Sequence, residues 1–186
     1  LIAELVTGLP EVMAFSRYHM HICEVHPKHV GLLYVNQQFQ TQLRPGVHAW
    51  WVFGRSFHIE VFDLRLQTLE VSGQDILSKD KVPLRLNLTA HYYISDVLQV
   101  KNLSDPSSYL YKKLQFALHA AVGERTLDTL LEDKGAIEKS IFDYIYNRIR
   151  YGITVESVGV TDIILPGEIR TILSKVVEAE KQLKQT

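Results

Sequence analysis

Residues 82–94 alternate without a break. Val82, Leu84, Leu86, Leu88, Ala90, Tyr92 and Ile94 fall on one side of an extended chain, and Pro83, Arg85, Asn87, Thr89, His91 and Tyr93 on the other. A helix cannot carry this pattern, because its apolar positions recur every three or four residues. A parallel strand covered on both faces would instead read as a continuous apolar run. The segment therefore specifies a half-buried antiparallel strand, longer than the usual five or six residues or so.

The flanking sequence supplies more strands. Leu43-Arg44-Pro45-Gly46-Val47-His48 is a turn signal, with proline presetting φ and glycine supplying the positive φ of a type II turn. Strands are expected over residues 21–26, 29–36, 56–66 and 68–76. The aromatic stretch 48–53, bracketed by Gly46 and Gly54, reads as a short strand or a loop. Residues 1–15 show helical spacing broken by Gly8 and Pro10, which predicts one short helix and a loop.

Helices follow the long strand. Ser95-Asp96 can cap a helical turn through Val100, and Asp105-Pro106 places an N-cap before a proline at the first helical position. That second helix carries Leu110, Leu114, Ala117, Leu118 and Ala121 and stops at Gly123. Further helices are expected over 126–132 and 135–150, the latter with Ile137, Ile141, Ile145 and Ile149 at four-residue spacing. Residues 153–165 return as a strand. Its alternation slips at Ser157-Val158, which predicts a bulge near Gly159. A last helix starts after Pro166. Strands, then helices, then one strand and a helix make an α+β pattern. No linker, repeat or low-complexity tract divides it.

Composition excludes several functions. A net charge of −1 lacks the basic excess of a nucleic-acid binder. The single cysteine, Cys23, rules out an intramolecular disulfide framework and a four-thiolate zinc site. No window approaches the run of about 18 apolar residues that a membrane-spanning helix needs. The chain starts at Leu1 and is expected to be part of a longer protein. It carries no glycine-rich phosphate loop, no Gly-x-Ser-x-Gly and no His-Glu-x-x-His, so neither catalysis nor a cofactor is expected. His58-Ile59-Glu60 has the spacing of zinc deaminases without their paired cysteines.

One cluster does suggest chemistry. His19, His21, Cys23, His26 and His29 put five metal-ligating side chains within eleven residues, and alternation sets the first three on one strand face. No further ligand stands at recognisable spacing to complete a site, and no metal is assigned. These residues nonetheless define a competing reading, a soluble metal-responsive binding module. The last helix offers an interaction signal instead. Ile169, Ile172, Val176, Ala179 and Leu183 step by three, four, three and four, a coiled-coil seam of two heptads. Leu173 and Val177 widen the stripe at its start. The helix is therefore expected to begin as packing on the domain and leave as a coiled coil.

Several short words occur in order along the chain. They are Leu-x-Pro-Gly-x-His at 43–48, Asp-Leu-Arg-Leu-Gln-Thr-Leu at 63–69, Ser-Lys-Asp-Lys-Val at 78–82 and Val-Gly-Glu-Arg-Thr-Leu-Asp at 122–128. Tyr-Gly-Ile-x-Val at 151–155, Asp-Ile-Ile-Leu-Pro at 162–166 and Val-Glu-Ala-Glu at 177–180 continue them. Together they resemble the stomatin–prohibitin–flotillin (SPFH, band 7) family, and within it the slipin branch. The resemblance implies a curved antiparallel sheet with helices gathered on one side, and a helical tail. It divides the chain into an N-terminal extension at 1–27, an SPFH domain at 28–166 and the start of a coiled-coil helix at 167–186. Residues 1–27 match none of the family's words and do not form its usual hydrophobic membrane hairpin.

The implied function is a non-enzymatic scaffold on the peripheral face of a membrane. Such a protein oligomerises with itself, organises lipids, and regulates a membrane protease or channel. The family's loop after Leu-x-Pro-Gly-x-His lies near the bilayer, which makes Trp50, Trp51 and Phe53 candidate membrane contacts. Paired tryptophans suit an interface, since each ring is apolar with one polar N–H. The alternative is that they fill the sheet core. One ring inward and one outward is the expected detail.

Overall fold

The computed structural model describes residues 20–183 and comprises two compact units, Leu1–Arg65 and Leu66–Thr186. The first contains β1 (Met20–Val25), β2 (His29–Val35), β3 (Gln38–Leu43), β4 (Gly46–Trp51) and β5 (Phe57–Asp63). All pair antiparallel: β1 with β4, and β2 between β3 and β5. Val25, Leu33 and Leu43 form a small core, against which Cys23, Val35, Trp50, Phe57 and Ile59 pack.

Strand β3 has no signature in the amino-acid pattern. Gln38 through Gln42 are all exposed and only Leu43 is buried, so no apolar alternation marks the strand. It exists because Asn36 and Gln37, both at positive φ (50° and 66°), make a two-residue hairpin turn that folds it onto β2. At the other end of the unit, β5 stops at Asp63, short of the expected residue 66. The Asp63 carboxylate accepts the Arg65 backbone N–H at 3.0 Å and the Arg65 Nε–H at 2.9 Å, a side-chain turn that breaks the strand. No proline-, glycine- or serine-rich stretch announces the division between the units there.

In the second unit β6 (Gln67–Leu77), β7 (Pro83–Ile94) and β8 (Ile153–Ile164) form a sheet in the order β6-β7-β8. Its helices are α1 (Val97–Val100), α2 (Pro106–Gly123), α3 (Leu127–Glu132), α4 (Lys134–Tyr146) and α5 (Gly167–Leu183). The alternation in β7 is complete: Leu84, Leu86, Leu88, Ala90, Tyr92 and Ile94 are all buried, while Pro83, Arg85 and Tyr93 are exposed. α2 packs against β6 and α4, and α4 packs against β8. Polar clasps fix the contact of sheet and helix. The Tyr92 hydroxyl of β7 hydrogen-bonds the Ser107 hydroxyl of α2 at 3.2 Å, and Gln115 of α2 donates to Gln74 Oε1 of β6 at 2.8 Å.

Bulges set the phase of both outer strands. In β6, Ser72 and Gly73 together face Asn87 of β7; Gly73 takes φ 65° and donates its N–H to Asn87 Oδ1 at 2.8 Å. The extra residue turns Ile76 inward and leaves Leu77 53% exposed. In β8 the extra residues are Glu156 and Thr161, while Gly159 pairs regularly with Thr89. The single bulge expected near Gly159 is thus two, one three residues before it and one two residues after it, and the Glu156 insertion is what shifts the alternation at Ser157-Val158.

The Ser-Lys-Asp-Lys-Val word is a turn that also caps a helix. Ser78, 2% exposed, donates its hydroxyl to Asp80 at 2.5 Å, and Asp80 accepts the Leu127 N–H that opens α3 at 3.2 Å. The Ser78 hydroxyl holds the Asp80 carboxyl below the usual carboxylate range. Asp96 and Asp105 accept the first N–H groups of α1 and α2, as their positions before those helices require. α4 ends at Tyr146 rather than 150, and Ile149 is half-buried beyond it.

Candidate functional site

The antiparallel register of β1 and β4 sets His21 opposite Trp50 and Cys23 opposite His48. Opposed residues share a face, so His21, Cys23, Val25, His48 and Trp50 line one side of the ribbon. That side continues into the core at Val25. Trp50 is therefore half-buried, stacked on His48 at 5.8 Å and on Phe57 at 5.9 Å, with His21 on Phe57 at 5.7 Å. His48 holds its ring by donating Nε2–H to the Arg44 carbonyl oxygen at 2.8 Å.

The opposite side of the ribbon, with Met20 buried at one end and Glu24 exposed near the other, carries several open apolar side chains. Ile22, Val47 and Trp51 are 46%, 55% and 45% exposed, and Phe53 beyond the strand is 74% exposed. Trp51 and Phe53 stack at 5.7 Å. The two tryptophans thus differ: Trp50 packs on the core and Trp51 faces outward with Phe53.

A groove of about 500 Å³ opens beside these rings. Its more buried lining is Leu33, Val35, Trp50 and Phe57, and its exposed lining includes Trp51 and Phe53. Gln40 and Arg55 supply the polar groups. Sequence reasoning missed this groove, because Gln40 lies on the unforeseen β3.

The described members of the histidine–cysteine cluster do not converge. His19 lies outside the described residues. His21 is occupied by ring stacking, and Cys23 packs on the core, where burial pushes its thiol pKa up. His26 is exposed. His29 donates Nδ1–H to the Pro27 carbonyl oxygen at 3.0 Å and places Nε2 3.8 Å from Asp63. Among the described residues, no three His, Cys, Asp or Glu side chains converge on a metal position. Asp63 instead serves Arg65: hydrogen bonds from its guanidinium, then from its backbone N–H, lower the Asp63 pKa to about 2.

On α5, Ile169 is half-buried, whereas Ile172 and Val176 are 61% and 49% exposed. The side chains of Leu173, Val177, Ala179 and Leu183 lie outside the described residues. The expected packing of the first turns on the domain does not extend to Ile172 and Val176. Among the described residues no helix is long and apolar enough to cross a membrane.

Antiparallel sheets in both units, with packed helices in the second, define a mixed α/β protein. The chain matches the SPFH domain / Band 7 family over residues 23–186. It is 31% identical over 127 residues to a stomatin homolog of Pyrococcus abyssi, covering 66% of this chain and 46% of that protein. A stomatin homolog of Pyrococcus horikoshii is 30% identical over 127 residues, with 66% and 47% covered. Protein unc-1 of Caenorhabditis elegans is 32% identical over 126 residues, with 66% and 44% covered. This chain belongs to the SPFH/Band 7 family. It spans about half the length of the curated relatives it matches.

Proposed function

We propose that this chain is a non-enzymatic, membrane-associated scaffold domain of the stomatin type. It touches the bilayer through the aromatic end of its first unit and self-associates through α5. The observation that carries the reading is the outward pair Trp51 and Phe53, stacked on each other beside the exposed Ile22 and Val47. Trp50 contributes by holding the end of β4 on the core. The domain proper runs over 28–166, preceded by an extension at 1–27 and followed at 167–186 by the oligomerisation helix with Ile169, Ile172, Val176, Ala179 and Leu183. Its partners are copies of itself, membrane lipids, and a membrane protease or channel that the assembly regulates.

With a net charge of −1, attraction to lipid comes from apolar insertion rather than from Coulomb forces. An inserted ring removing on the order of 100 Å² from water contributes roughly 2–3 kcal/mol. Co-sedimentation with phosphatidylcholine vesicles tests this. Binding persists in high salt, and Trp51→Ala or Phe53→Ala weakens it at least tenfold. Failure of the wild-type chain to bind any vesicle would overturn the membrane-contact assignment.

A further inference from the structure

The groove beside Trp50 has a composition that flat membrane contact does not need. Its inner lining is the buried Leu33 with the half-buried Val35, Trp50 and Phe57, yet Arg55 and Gln40 stand at it as well. The Arg55 side chain is exposed and makes no hydrogen bond or ion pair among the described residues. At about 500 Å³ the groove falls among ordinary small-ligand clefts of about 300–1,000 Å³. We infer that it is a binding site for a single-chain fatty-acid anion, the alkyl chain lying on Trp50 and Phe57 and the carboxylate on Arg55. The inference deepens the membrane-contact reading and rests on the same aromatic end.

Charge and shape select this occupant. A guanidinium presents a planar fork of N–H donors that matches a carboxylate in two parallel hydrogen bonds, and the Gln40 amide adds a neutral donor. Beside apolar walls the ion pair is less screened than on open surface. A neutral alcohol of the same chain length would gain the apolar contact without the ion pair.

The probe is dodecanoate held below its micelle concentration, titrated into the full 186-residue chain. The chain's two tryptophans, Trp50 and Trp51, both line the groove, so their fluorescence reports occupancy directly. A saturable change is expected, weakened at least tenfold by Arg55→Gln and unaffected by Arg44→Gln, with dodecanol binding more weakly than dodecanoate. Thermal melts of Arg55→Gln should match wild type, since the side chain has no partner among the described residues. Equal binding of dodecanol, indifference to Arg55→Gln, or no saturable change would each overturn the inference. Vesicle binding measured alongside separates the two readings. Vesicles bound without dodecanoate sink only the fatty-acid site, and dodecanoate bound without vesicles sinks only bilayer contact.

Discussion

Gly152 packs directly against the backbone of Asp96. Its carbonyl oxygen accepts the N–H groups of both Ser95 and Asp96, at 2.8 and 3.1 Å, and a β-carbon on Gly152 would overlap the Asp96 carbonyl oxygen outright. Gly152 also takes φ 70°, following Tyr151 at 66°. This pairing joins the start of β8 to the segment between β7 and α1. Gly152→Ala should cost roughly 2–5 kcal/mol, combining about 1–2 for the left-handed conformation with about 1–3 for overpacking. A fall in Tm of less than a few degrees would mean that the two segments part easily.

Adjacent residues of β7 should respond in opposite ways to the same substitution. Leu86 is fully buried, whereas Arg85 is exposed and paired with Asp75 at 2.9 Å. Leu86→Asp places an unpaired carboxylate in the core at a cost of several kcal/mol, comparable with the stability of a whole domain. Arg85→Asp removes one surface ion pair, worth about 1 kcal/mol or less. Urea melts of both variants compare the two faces.

Acid should erase the contribution of Asp63. Its folded-state pKa is about 2, against about 4 for an unfolded aspartate. A depressed carboxyl pKa adds stability that is present above the unfolded value and is lost as pH falls through the folded one. The Tm difference between wild type and Asp63→Asn should therefore be constant above about pH 5 and shrink towards pH 2. A difference that does not change over that interval would show that the Arg65 pairing adds nothing.

Charge placed on α5 should separate folding from association. Ile172 and Val176 are exposed, so Ile172→Glu and Val176→Glu should each change the unfolding free energy by no more than about 0.5 kcal/mol. If their stripe is the self-association seam, the same pair lowers the mass seen in sedimentation of any form of the protein that oligomerises. Unchanged assembly would place the seam elsewhere.

How much of this was legible depended on whether a residue's partner lies within its own strand or helix. β7 was readable because each of its buried side chains follows its neighbour by two, and the caps at Asp96 and Asp105 because their targets lie two or three residues on. The bulge in β6 was not, since its cause is cross-strand: the Gly73 N–H is taken by Asn87. The tryptophans fall between these cases. Sequence alternation says that they face opposite ways but not which is inward. The register with β1 decides it, by placing Trp50 on the side of Cys23 and Val25.

The irregularities of β8 bear on how this chain avoids sticking to others by accident. A regular outer strand of twelve residues would offer an unbroken row of N–H and C=O groups to any passing edge. Glu156 and Thr161 cut that row into short stretches, and between them Glu138 of α4 takes the Val160 N–H at 2.8 Å. A stray strand thus meets broken register and an occupied donor instead of a template. The same two inserted residues that re-phase the sheet thereby act as a guard against fibrous pairing between one chain and the next.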